Sequence, residues 1–160
     1  MTDVRVAWYA LTHQGNACFT QGHFREAVRQ YRLARDLSIQ HIDEWPDPEA
    51  AVTAVVVSFL NLVEGLIRIG SLEEAAENLC LIHENLLLAS IDDEQCLDLR
   101  QAARLRTRET LAAIHHFIQH HGTCPAIATL LDLDQHFDTP GCCSSCGLRP
   151  AVPSSASTLH

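Results

Sequence analysis

The strongest constraint on this chain is the recurrence of apolar residues at three- and four-residue steps, interrupted where Gly or Pro intervenes. Val4, Ala7, Trp8, Leu11 and Cys18 form one such stripe. Phe24, Ala27, Val28, Tyr31, Ala34 and Leu37 form a second. Residues spaced this way share one face of an α-helix, whereas a strand would bury every second residue. Gly22 ends the first stripe and leaves so short a connection that the two helices must fold back antiparallel.

The same reading continues along the chain. Pro46 and Pro48 break the pattern, because proline lacks an amide donor and pushes the preceding residue out of helical geometry. Residues 49–69 are apolar on most sides, with Val52, Val55, Val56, Val57, Phe59, Leu60, Leu62, Val63, Leu66 and Ile67. The valines suit a strand, but the length exceeds ordinary strands and predicts a helix in the middle of a layered bundle. Gly70-Ser71 supplies the next turn. Ser71 is expected to cap a fourth helix, with Glu74 in capping-box position, running to about Ala89. Asp92 or Asp93 caps a fifth, from Glu94 to about His121, with Leu97, Ala102, Leu105, Leu111, Ile114 and Ile118 on its buried side and Gly122 as its stop. Pro125 opens a sixth helix through Leu130 and Leu131 to near His136. The expected organisation is an all-α domain over residues 1–138, followed by a flexible Ser/Pro-rich tail over 139–160 that carries cysteines.

Charge and composition narrow the function classes. A net charge of −9 repels phosphate backbones, so nucleic acid is not an expected partner. The first sixteen residues lack a basic stretch followed by an apolar run, and the apolar segments read as too short or too charged to span a bilayer. A cytoplasmic protein without a membrane partner is therefore expected. Seven cysteines, an odd number spread unevenly, point to reduced thiols or metal ligands rather than a disulfide framework. There is no G-x-S-x-G, no phosphate-cradling glycine loop and no H-E-x-x-H, so the expected function is not enzymatic.

One segment carries a family resemblance. Gly15-Asn16-Ala17, Gly22, Phe24, Ala27, Tyr31 and Ala34 resemble a tetratricopeptide (TPR) motif in the family's own spacing. Small residues at Gly15 and Ala27 let two helices approach closely, Gly22 makes the turn, and the rings of Phe24 and Tyr31 fill the seam. A second copy matches at Gly70, Leu72, Ala75, Leu79 and Ile82, with the larger Val63 at the position of Gly15. The layout is also similar to a small bacterial family of single-domain TPR-like proteins with no assigned activity. The resemblance implies a TPR-like α-α superhelix, a short α-solenoid of five to six antiparallel helices. In it the first helix of each pair lines a concave groove, at Tyr9, Thr12, His13, Asn16, Phe19 and Thr20 and then Leu60, Asn61, Glu64 and Ile67. Asn16 and Asn61 fall where peptide-carboxylate-binding members place asparagines that hold a ligand backbone. Thr12 stands where those members carry a lysine, which argues against a chaperone-tail clamp.

Two further clusters bear on partners. Arg100, Arg104 and Arg108 recur every four residues and so share a helix face, able to meet an acidic peptide or to pair with the chain's own carboxylates. His116 and His120, spaced i and i+4, face one side of the fifth helix, and Cys142, Cys143 and Cys146 include a C-x-x-C pair. Zinc accepts such mixed ligands, and a thiolate trio also suits Cu(I). The leading expectation is thus a protein-interaction adaptor holding a peptide or helix in its groove. The alternative is a metal-binding sensor or carrier. Short irregular arrays leave apolar end faces, so a capping helix or a second copy of the chain is also a candidate partner.

Overall fold

A computed structural model describes the backbone of residues 3–137 and the side chains of residues 3–132; the tail from 139 onward lies outside the described residues. Among the described residues six α-helices follow in order: α1 (Val4–Thr20), α2 (Phe24–Gln40), α3 (Pro48–Arg68), α4 (Leu72–Ile91), α5 (Leu97–His121) and α6 (Pro125–Phe137), with a 3-10 turn, Ile42–Glu44, before α3. No strand occurs among the described residues. Helix α3 touches α1, α2, α4 and α5, and α6 packs on α4.

The chain reverses between α1 and α2 in the same way as between α3 and α4. Gly22 and Gly70 adopt φ of 79° and 81°, a left-handed conformation open to glycine without steric cost. At the first turn His23 N donates to the Cys18 carbonyl at 2.9 Å and Gly22 N to Phe19 at 3.0 Å. At the second, Ser71 N donates to Leu66 at 2.9 Å and Gly70 N to Ile67 at 3.0 Å. These paired bonds satisfy carbonyls that a helix end otherwise leaves open. The capping box expected at Ser71 does not form: the Ser71 side chain makes no capping bond, and Glu74 instead accepts from Arg32 of α2 at 2.8 Å. The reason is the backbone at Ser71, whose ψ of 63° lies outside the extended region from which an N-cap side chain reaches back. Asp47 has that extended geometry and does cap α3, accepting from Glu49 N and Ala50 N.

Packing centres on Tyr31. Its ring lies so close to Gly15 that a β-carbon built there would stand 2.5 Å from Tyr31 Cε1, and its hydroxyl donates to Asn16 Oδ1 at 2.8 Å. On the α3 side Gly65 makes the second close approach, with an added β-carbon 2.9 Å from Val28 Cγ2. The small residue of α3 is thus two positions beyond Val63, where the sequence comparison placed the equivalent of Gly15. Val63 is a buried member of the core instead.

Two expectations need correction. Helix α5 starts at Leu97 rather than Glu94, and its buried side runs through Ala102, Ala103, Thr110, Ile114 and Phe117. Leu97 and Leu105 are 63% and 65% exposed. At about 100° per residue, Leu105 lies some 200° around the helix from Ala103, so its hydrophobicity cannot bring it to the core face. Second, α3 is long and apolar enough to cross a membrane by length and composition, with mean hydropathy 2.0 over its most apolar window, contrary to the expectation that no segment qualifies. It is the central helix of the bundle, with 61% of that window buried within the protein.

Candidate functional site

Helix α3 is buried on most of its circumference, but Ala50, Thr53, Val57, Leu60, Asn61, Glu64 and Ile67 remain half-buried or exposed. These residues recur every three or four positions and so mark one stripe along the helix, flanked by α1 and α5. A hollow of about 290 Å³ opens at its N-terminal half, lined by Trp8 and Tyr9 of α1, Trp45, Asp47, and Glu49, Ala50, Thr53 and Ala54 of α3. Another of about 180 Å³ opens at its C-terminal half, between Leu60, Glu64 and Ile67 of α3 and Ala113, His116 and Phe117 of α5.

The residues expected to line the groove from α1 divide between two faces. Tyr9, His13 and Asn16 are exposed, Tyr9 by 64%. Thr12 is not available to a ligand: it is only 9% exposed and sits in the inward stripe Val4, Trp8, Thr12 and Gly15. One residue further on, His13 is turned about 100° and faces out. Asn16 already accepts from Tyr31, so its carbonyl oxygen is engaged in holding the α1–α2 seam. Phe19 is half-buried, edge-on to Phe24 with ring centroids 5.1 Å apart, and the Arg68 guanidinium lies 5.4 Å from its centroid. Glu64 accepts from Arg68 Nε at 3.0 Å, and Asn61 is half-buried on the open stripe.

Arg100, Arg104 and Arg108 of α5 point elsewhere, whereas Arg106 of the same helix donates to Thr53 Oγ1 of α3 at 2.8 Å. Arg104 precedes Ala113 by nine residues, which places it on the opposite side of the helix from the face that meets α3. Arg100 pairs with Asp93 at 3.0 Å, while Arg104 and Arg108 are exposed. The structure therefore separates this triplet from the groove.

His116 and His120 are both exposed, with ring centroids 4.1 Å apart. His120 Nδ1 donates to the His116 carbonyl at 2.9 Å, since a carbonyl can only accept, leaving Nε2 as the free nitrogen. Among the described residues no group of three or more His, Cys, Asp or Glu side chains is placed to hold a metal ion. Cys142, Cys143 and Cys146 lie outside the described residues. Of the cysteines within them, all are free thiols, and burial pushes that of Cys80 up to about 11.

Sequence reasoning missed a further opening, an apolar cleft of about 320 Å³ between the C-terminal ends of α2 and α4 and the N-terminal ends of α3 and α5. Val52, Val55, Phe59, Ile82, Leu86 and Ala103 line it, with Asn85 as its one polar lining residue. Arg35 donates to Asn78 Oδ1 at 2.9 Å and lies 5.7 Å from the ring centroid of Phe59, one of the lining residues. Nothing in the local sequence pattern signals it, because the residues read as ordinary core.

Against this geometry, the family model described as "Protein of unknown function (DUF2753)" matches residues 6–142. The chain belongs to that family. The match covers all of α1 except its first two residues, and every helix after it. No curated protein and no solved structure matches the chain.

Proposed function

We propose that this member of the DUF2753 family is a non-catalytic binding module of TPR-like build, whose α1–α3–α5 face holds a segment of a protein partner. The observation that carries the reading is the open stripe on α3. A helix buried on every other side keeps one continuous line of half-exposed residues from Ala50 to Ile67. Seventeen helical steps span about 26 Å, the reach of roughly eight residues of extended chain. The TPR-like assignment draws on the repeated turn, since Gly22 and Gly70 are 48 positions apart (70 − 22) with equivalent hydrogen bonds. It draws also on the neighbour pattern, in which α3 meets both α1 and α5.

A photo-crosslinking side chain tests the groove directly. With p-benzoylphenylalanine replacing Val57, cross-linking in cells is expected to yield a discrete protein adduct whose attachment maps to one short segment. The same probe at Glu77, an exposed residue of α4, should yield none. Equal adduct patterns from the two positions, or no adduct from Val57, would remove the groove as a binding face.

A further inference from the structure

The hollow at the N-terminal half of α3 has an unusual lining. Trp8, Tyr9 and Trp45 line it together with Asp47 and Glu49. The rings meet edge to face: Trp8 and Trp45 have centroids 5.7 Å apart at 75°, and Trp8 and Tyr9 have centroids 5.0 Å apart at 68°. Trp8 is fully engaged, its indole N–H donating to Ser58 Oγ at 2.8 Å. Trp45 is not. It is only 9% exposed, yet its Nε1–H has no acceptor among the described residues, and such a buried donor calls for a specific explanation.

The charges around the hollow are also unbalanced. Arg5 is paired with Asp3. Arg106 is paired with Glu109 and donates through its other terminal nitrogen to Thr53 Oγ1 at 2.8 Å. Neither Asp47 nor Glu49 has a cationic partner among the described residues, and Asp47 receives only the amides of Glu49 and Ala50. Ring faces carry the negative end of the aromatic quadrupole. A hollow combining such rings with unpaired carboxylates attracts positive charge, and favours cations that shed water easily.

We propose that the Trp8–Tyr9–Trp45 hollow is a binding site for a weakly hydrated organic cation, a quaternary ammonium or guanidinium group, neutralised by Asp47 and Glu49. The Trp45 N–H, closed to solvent as the side chains stand, would gain an acceptor carried beside that cation, such as a hydroxyl, carboxylate or peptide carbonyl, only as the indole turns on binding. The cation comes either from a free small molecule or from a side chain of a bound protein segment. In the second case the inference rests on the groove reading and names its anchor; in the first it stands without it.

The chain contains two tryptophans, and both belong to this hollow, so indole emission reports on the site alone. The full-length protein is titrated with choline and, separately, with 3,3-dimethylbutan-1-ol, its uncharged isostere, following emission and the two indole N–H resonances. Choline is expected to give a saturable change, with the Trp45 resonance moving more than that of Trp8, and to bind at least about tenfold more tightly than the alcohol. Asp47→Asn combined with Glu49→Gln keeps an amide acceptor at the cap and removes both charges. It should weaken choline at least about tenfold while lowering the melting temperature by no more than about 5 °C, the loss of two favourable charges at the start of α3. Tyr9→Leu, at an exposed position, should do so independently. Equal affinity for choline and the alcohol overturns the proposal, as does affinity unchanged in both variants or no saturable response to choline.

Blocked trimethyllysine and arginine amides settle the source. Tighter binding of either than of choline assigns the cation to a protein segment, and the reverse assigns it to a free molecule; both uphold the site. Because cross-linking at Val57 is read separately, a protein that cross-links there but ignores every cation loses this site and keeps the groove. One that binds choline without cross-linking does the opposite.

Discussion

The two helix pairs α1–α2 and α3–α4 share a turn and differ in their seams. Both reverse through a glycine at φ near 80° with the same two backbone bonds, and the residues that follow, His23 and Ser71, have φ, ψ of −83°, 60° and −86°, 63°. The seams diverge at the positions 48 residues apart. Gly15 lies against the face of Tyr31, whereas their counterparts Val63 and Leu79 are aliphatic core residues. The repeat therefore resides in the backbone of the reversal. The side chains between the helices have been replaced as a matched pair, small with large in one copy and medium with medium in the other, as close packing at constant volume requires.

The sharpest way to break that comparison is to force the second seam's residue onto the first. Gly15→Val places branched carbon where even a β-carbon would be 2.5 Å from Tyr31 Cε1. The ring is held against displacement by its hydroxyl, which is bonded to Asn16 Oδ1 at 2.8 Å. Overpacking should cost at least about 3 kcal/mol, seen as a melting temperature lower by roughly 6 to 12 °C. A variant that melts with the parent would mean the seam is loose and the glycine incidental. The converse change is milder. Val63→Ala removes two methyl groups from a core position 6% exposed and should cost about 2 kcal/mol in thermal or urea unfolding. The loss is smaller because neighbouring side chains relax into a cavity more readily than a ring moves out of a clash.

The shared turn gives a matched pair of smaller effects. No atom comes within 4 Å of a β-carbon added at Gly22 or Gly70, so the only penalty for alanine is its left-handed backbone. Each substitution should cost about 1 kcal/mol, and the two costs should agree within about 0.5 kcal/mol. Unequal values would show that the turns are alike in outline but strained differently.

These residues also mark how far sequence alone carries. The turn glycines, the proline entry to α3 and the helical period of each segment were legible because they are local properties of the backbone. The orientation of individual side chains was less so. The motif comparison places Thr12 in the groove though it lies one residue, and about 100°, from the outward-facing His13; such a comparison transfers positions without transferring rotation. The apolar pattern puts Leu97 and Leu105 on the buried side, yet α5 presents only a narrow face to its neighbours and both stay exposed. The aromatic hollow was invisible for another reason. Trp45 reaches Trp8 from 37 positions away (45 − 8) through a turn whose path periodicity does not specify, and only the three-dimensional arrangement sets their rings 5.7 Å apart.

The smallest effect is predicted where sequence rules promised a larger one. In S-x-x-E spacing, Ser71 reads as half of a capping box, and removing such a cap ordinarily costs about 1 kcal/mol. In the fold, Ser71 occupies the slot that His23 fills in the first pair, and neither side chain makes a capping bond. The backbone bond from Ser71 N to Leu66 already closes this end of α3, and Glu74 is committed to Arg32. Ser71→Ala should therefore leave unfolding free energy within about 0.5 kcal/mol of the parent. Asp47→Ala, at the N-cap that does bond its helix, should cost about 1 kcal/mol in the same assay. A loss at Ser71 matching that at Asp47 would mean that the serine caps α4 after all, and that the two turns differ at the position where they look most alike.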